Sequence, residues 1–224
     1  MQLNFRLTAV ILTFGSCWTS SAAVITFSSQ GTAVDSREWN AAGPNLAIVP
    51  HPGWAAPLAG SSWVSYGNTG DPVAPGYFMP ANGGVVSFFE NLTLAWTPSI
   101  ASITIRADDS AAFYINQTLV RPEAPIQGNT YGRCSDFPVG CTESMEVTLD
   151  IASFLHSGEN TLRFDVSQRN SISFGLNYSG YAGGVSAAVE TPEPASFLLL
   201  GAGLVAIGSW RRRVEPAPAA ATLS

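Results

Sequence analysis

The sequence predicts an all-β chain, an antiparallel β-sandwich, lying between an apolar leader and an apolar tail. Three observations predict it. Several stretches alternate apolar and polar residues with period two. Glycine (21) and proline (15) are plentiful, as turns between short strands require. No helical apolar period of useful length lies between the two terminal runs.

The N-terminus reads as a secretory leader over residues 1–23. Arg6 supplies the positive region, Leu7 to Trp18 the apolar region, and Ser21-Ala22-Ala23 the small residues of a cleavage site. Cleavage after Ala23 leaves Val24 as the new start of a domain over residues 24–190. Within it, Ser102 to Ala107 places Ile103, Ile105 and Ala107 on one face. Met145 to Leu149 and Thr161 to Ser167 alternate likewise. These are half-buried antiparallel strands. Val85 to Leu94 is a longer strand with Phe88, Leu92 and Leu94 inward, and Ala111 to Ile115 and Ser171 to Leu176 are shorter ones. Asp108-Asp109-Ser110 and Ser157 to Asn160 carry turn residues, and Ile151 to Leu155 is a single helical turn capped by Asp150. Such alternation over short strands implies a two-sheet sandwich or jelly roll.

Composition excludes one class of function. All ten basic residues are Arg, and Val24 to Thr191 holds 6 Arg against 14 Asp plus Glu. That balance leaves no basic stripe for nucleic acid. Leader removal takes Cys17 away and leaves Cys134 and Cys141. An even count in an oxidising compartment points to a disulfide, with a pair of free thiols as the alternative. The bridge stiffens an insertion running from Arg121 to Thr142.

At the other end, Ala195 to Trp210 runs without a charge and Arg211, Arg212 and Arg213 follow. As a helix the run spans about 24 Å, enough for a short transmembrane segment with its basic end in the cytoplasm. Pro192-Glu193-Pro194 stands just before it. This order of Pro-Glu-Pro, apolar span and Arg cluster over residues 191–213 resembles the PEP-CTERM sorting tail. The resemblance implies an exosortase as partner, a membrane intermediate held by the C-terminal helix, and delivery to the cell surface or extracellular matrix. Residues 214–224 read as a disordered extension.

Arg106 to Asn116 and Ser157 to Val166, with Pro50 to Ala55 and Ser62 to Ser65 upstream, resemble galactose-binding-like jelly rolls. In those domains the first segment is a hairpin of acidic pair, strand and Asn, and a Gly follows the Asn. Gln117 stands there in this chain, implying a looser turn. The resemblance implies a fold and leaves the activity open.

Chemistry-bearing residues are sparse. His51 and His156 are the only histidines, too few for a zinc site and unsupported by a nucleophile elbow. Adjacent Asp108 and Asp109 are expected on opposite sides of a strand, a poor acid–nucleophile pair. With Asp71 they are candidates for a structural calcium ion. The better lead is aromatic: Trp54, Trp63, Tyr66 and Tyr178 offer stacking faces to a saccharide, with Asp108, Asp109 and Asn116 as hydrogen-bonding groups. The alternative is that the tryptophans plug the open ends of the sandwich. The expected function is a non-catalytic envelope or matrix protein that binds polysaccharide. The alternatives are a carbohydrate-active hydrolase and a structural surface protein without a small ligand.

Overall fold

The computed structural model describes residues 21–31, 37–125, 134–135, 137–169 and 172–186. The sorting tail, the transmembrane run and most of the leader lie outside the described residues. No helix among those residues is long and apolar enough to cross a membrane.

The strands are β1 (Ser21–Ser28), β2 (Glu38–Asn40), β3 (Gly43–Pro44), β4 (Leu46–Ala47), β5 (Val64–Ser65), β6 (Val85–Leu94), β7 (Ile100–Asp108), β8 (Ser110–Ile115), β9 (Thr118–Arg121), β10 (Val147–Asp150), β11 (Gly158–Ser167) and β12 (Gly175–Ser186). Among the described residues they form two six-stranded sheets. Sheet I runs β10-β7-β12-β5-β4, with β1 also on β12, and sheet II runs β3-β2-β6-β11-β8-β9. Every pairing is antiparallel. From β6 onward the chain crosses between sheets at nearly every connection, the hairpin β8–β9 excepted, which is the winding of a jelly roll.

Alternation places the core. Ile103, Ile105 and Ala107 of β7 meet Phe88, Leu92 and Leu94 of β6 and Leu162, Phe164 and Val166 of β11, all buried. Phe164 stacks between Phe113 at 4.8 Å and Tyr178 at 4.5 Å, joining the sheets through aromatic contact. The expected helical turn is a 3-10 turn over Ala152–Phe154, and Asp150 Oδ1 accepts the Ala152 N–H at 3.0 Å.

Three local expectations are corrected. Asp108 and Asp109 do not form a hairpin, because β7 and β8 belong to different sheets; they are a corner between sheets. Residues 172–174 are not strand, and β12 runs instead from Gly175 to Ser186. The turn at Asn116-Gln117 is tight despite the missing glycine. Both residues have positive φ, 49° and 70°, the two-residue hairpin geometry whose twist matches its strands.

One layer of the interior is polar. Glu90 occupies an inward position between Phe88 and Leu92 and pairs across β2–β6 with Glu38, both essentially unexposed. Glu38 accepts the backbone N–H groups of Gln30 and Gly31, and Arg37 reaches Glu90 at 3.3 Å. Carboxyl groups so deep are tolerated because these donors replace water.

Candidate functional site

The two outer faces of the sandwich differ in chemistry. On sheet I, register aligns Ser28, Ser179, Thr104 and Thr148 across four strands, a polar hydroxyl row. On sheet II, register aligns Pro44, Trp39, Phe89, Arg163, Tyr114 and Leu119 across all six strands. Its four central members are three aromatic rings and one cation.

Each member is fixed by a neighbour. Trp39 stacks on Phe89 with centroids 5.2 Å apart and planes within 12°. The Arg163 guanidinium lies 3.8 Å from the centroid of the Tyr114 ring, a cation–π contact, and its Nε is 3.3 Å from Asp165 Oδ1. Asp165 in turn accepts the Ser87 hydroxyl at 2.7 Å.

Beside these pairs the face opens into a cavity of about 260 Å³ lined by Phe89, Asn116, Gln117, His156, Thr161 and Arg163. Asn116 forms its end wall. Its amide donates to Asn160 Oδ1 at 2.9 Å and to the Phe154 carbonyl at 3.2 Å, and its Oδ1 accepts the Thr161 N–H at 3.0 Å. Gln117 and His156 are exposed at the rim, and His156 Nδ1 lies 2.7 Å from the Ser157 carbonyl. One ring, one guanidinium and several amide, hydroxyl and imidazole groups thus surround a space sized for about one sugar ring. The lining contains no carboxylate.

Of the ligand-binding candidates named from sequence, Asn116 alone lines this cavity. Trp63 has no exposed surface and Tyr178 only 1 %, so neither ring has a face to offer a ligand, and both belong to the packing. Trp63 donates its indole N–H to the Ala55 carbonyl at 3.0 Å and lies 4.4 Å from Trp54. The Cys134–Cys141 disulfide packs on Trp63. The tryptophans therefore close an end of the sandwich. Tyr66 is half-buried edge-on against Phe78 and Phe174.

Asp108 and Asp109 lie at this plugged end, 5 % and 0 % exposed. Asp108 Oδ2 accepts the Trp54 indole N–H at 2.7 Å, and Asp109 Oδ2 accepts the Arg169 N–H at 2.5 Å. Burial, reinforced by the neighbouring Asp109 carboxyl, pushes Asp108 well above the usual carboxylate range. Asp71 belongs to a separate turn, where Oδ1 accepts the Val73 N–H. Among the described residues no group of three or more His, Cys, Asp or Glu is placed to hold a metal.

Sequence reading counted Trp39 among the aromatic residues able to stack on a sugar and passed over Phe89, Tyr114 and Arg163. A signal for two of them was present in the doublets Phe88-Phe89 and Phe113-Tyr114. In a strand of period two, one ring of each doublet must face outward, and the structure places Phe89 and Tyr114 there.

Residues 190–213 match the PEP-CTERM protein-sorting motif. No curated protein matches the chain. Among solved structures, a family 35 carbohydrate binding module from Clostridium thermocellum is similar at 13% identity and TM-score 0.39, over 70% of this chain and 97% of that one. A CBM35 from Paenibacillus barcinonensis is similar at 15% identity and TM-score 0.37, over 70% and 97%. A β-glucosidase from Kluyveromyces marxianus is similar at 12% identity and TM-score 0.25, over 76% of this chain and 16% of that one.

Proposed function

We propose that the chain is a non-catalytic surface protein, delivered by an exosortase, whose sandwich binds a neutral polysaccharide on the outer face of sheet II. The sorting motif at residues 190–213 supports the delivery. The observation that carries the binding is the cavity that Phe89 and Arg163 line together with Asn116, Gln117, His156 and Thr161. The apolar face of a sugar ring stacks on Phe89, while Arg163, Thr161, Gln117 and His156 take its hydroxyls. Cleavage of a glycosidic bond needs two convergent carboxyl groups, and none lines the cavity. The acidity of the domain disfavours an anionic polymer.

Affinity electrophoresis in gels containing β-glucan, xylan or galactomannan tests this reading. The wild-type protein is retarded by at least one polymer, and Phe89→Ala with Arg163→Ala migrates as in a plain gel. Unretarded wild type across the panel, or equal retardation of the variant, contradicts it.

A further inference from the structure

The edge of a sheet exposes unpaired backbone groups, and folded proteins blunt it with charge, proline or brevity. Most edges here are blunted in this way. β3 carries Pro44, β4 has two residues, β9 ends on Arg121 and β10 ends on Asp150. β1 is different. From Val24 to Ser28 it reads Val-Ile-Thr-Phe-Ser, with no charge, glycine or proline. Among the described residues its only strand partner is β12.

Hydrogen-bond alternation shows which groups face outward. Ser29 donates its N–H to the Tyr178 carbonyl at 3.1 Å, and this pair continues the β1–β12 register. Bonded pairs alternate along an antiparallel ladder, so Phe27 and Ile25 also bond β12. Val24, Thr26 and Ser28 therefore turn their N–H and C=O groups away from it. Val24 and Thr26 are exposed. The open stretch stops at Ser28, whose hydroxyl donates to the Gly60 carbonyl at 2.9 Å, and Ser62 N–H donates to the Ser29 carbonyl at 2.7 Å. The outward groups are thus symmetric about Thr26.

We propose that β1 is a homotypic docking edge, on which the β1 strands of two copies pair antiparallel about a two-fold axis at Thr26. Thr26 then bonds Thr26 of the second copy, and Val24 of each copy bonds Ser28 of the other. Such a contact uses the same patch on both copies, so it closes as a dimer and makes the two copies of sheet I one continuous sheet. Charge selects a second copy as the occupant. Val24 to Thr191 holds 6 Arg against 14 Asp plus Glu, so two copies repel unless they meet where neither is charged. The open stretch of β1 is such a place. On its inner side Ile25, only partly buried by its own core, comes to lie opposite Phe27 of the second copy. The dimer carries two sheet II cavities, so on the polysaccharide reading it engages a polymer twice; the docking edge stands without that reading.

Sedimentation of the full chain in a density-matched detergent tests this with two variants. Thr26→Glu sets like charges directly opposite each other in the dimer, on a side chain that is already exposed. Thr26→Pro removes an outward N–H and no bond to β12. The wild type sediments as a dimer, and each variant raises the dissociation constant at least about tenfold. A third variant guards against misfolding of these two. Thr26→Cys oxidises to a dimer that peptide mapping shows to be joined through position 26, whereas Thr93→Cys, on an exposed threonine of sheet II, does not. A monomeric wild type, a dimer that either variant leaves intact, or equal cross-linking at both positions overturns the proposal. Retardation in polymer gels, read on the same samples, judges the polysaccharide reading separately, because its failure leaves the sedimentation result unchanged.

Discussion

Phe89 on β6 and Arg163 on β11 stand directly opposite one another in register, and each is braced from behind by an aromatic ring. Trp39 backs Phe89 at 5.2 Å, and Tyr114 lies under Arg163 at 3.8 Å. Two of the side chains that line the cavity are thus held in place before a ligand arrives, which lowers the ordering cost of binding.

That bracing makes Trp39 a positioning residue. Trp39→Ala leaves the cavity lining intact but frees the Phe89 ring. Polysaccharide affinity is expected to fall about three- to tenfold, with a smaller effect than Phe89→Ala. Titration calorimetry on a bound polymer measures both. An unchanged affinity for Trp39→Ala would show that Phe89 needs no support.

Asp108 gives a pH prediction of defined sign. Burial and the adjacent Asp109 raise its pKa in the folded state above the value of 3.8 for a free side chain. Its contribution to stability is full below that unfolded value and is lost as pH rises through the raised folded pKa. Asp108→Asn keeps an acceptor for Trp54 and cannot ionise. The Tm difference, variant minus wild type, is therefore expected to grow as pH rises from 4 to 8, and a difference flat with pH would sink the assignment.

Trp63 is the largest of the fully buried side chains and packs on the disulfide. Trp63→Ala is expected to cost about 3–5 kcal/mol in urea unfolding. In the folded fraction polysaccharide affinity stays at the wild-type level, because the plugged end is not the binding face. A loss of binding without a loss of stability would return the tryptophans to the role expected from sequence.

Cys134 and Cys141 close a short loop, seven residues apart in sequence. In the chain-entropy description such a bridge contributes about 2.5 kcal/mol. Cys134→Ser with Cys141→Ser should lower stability by that order, read from denaturant midpoints under oxidising conditions. No change would mean that the loop is held by its packing on Trp63 alone.

The strands β6, β7 and β11 were legible because their apolar residues alternate and one face is buried. β12 was legible only at its first residues. Its sequence, Gly-Leu-Asn-Tyr-Ser-Gly-Tyr-Ala-Gly-Gly-Val-Ser, shows little apolar period, because the strand is packed too closely for side chains at several positions. A Cβ at Gly180 would lie 2.5 Å from the Phe27 ring, and one at Gly184 2.1 Å from Trp96, so glycine there serves close approach. Glu90 was misleading in the other direction, a charge at an inward position sustained by Arg37. The aromatic row was hidden for a topological reason. Trp39, Phe89, Tyr114 and Arg163 are far apart in the chain and become neighbours only through the register of four strands. The loop tryptophans looked available because loops are usually at the surface, whereas here they fold back over an open end of the sandwich.

The most direct test of the central claim is an NMR titration of the isotope-labelled protein with cellohexaose, xylohexaose and mannohexaose. The account predicts saturable shifts, for at least one sugar, at Phe89, Asn116, Gln117, His156, Thr161 and Arg163, with Trp54, Trp63 and Asp108 unmoved. Shifts confined to Trp54, Trp63 and Asp108, or none with any of the three, would contradict it.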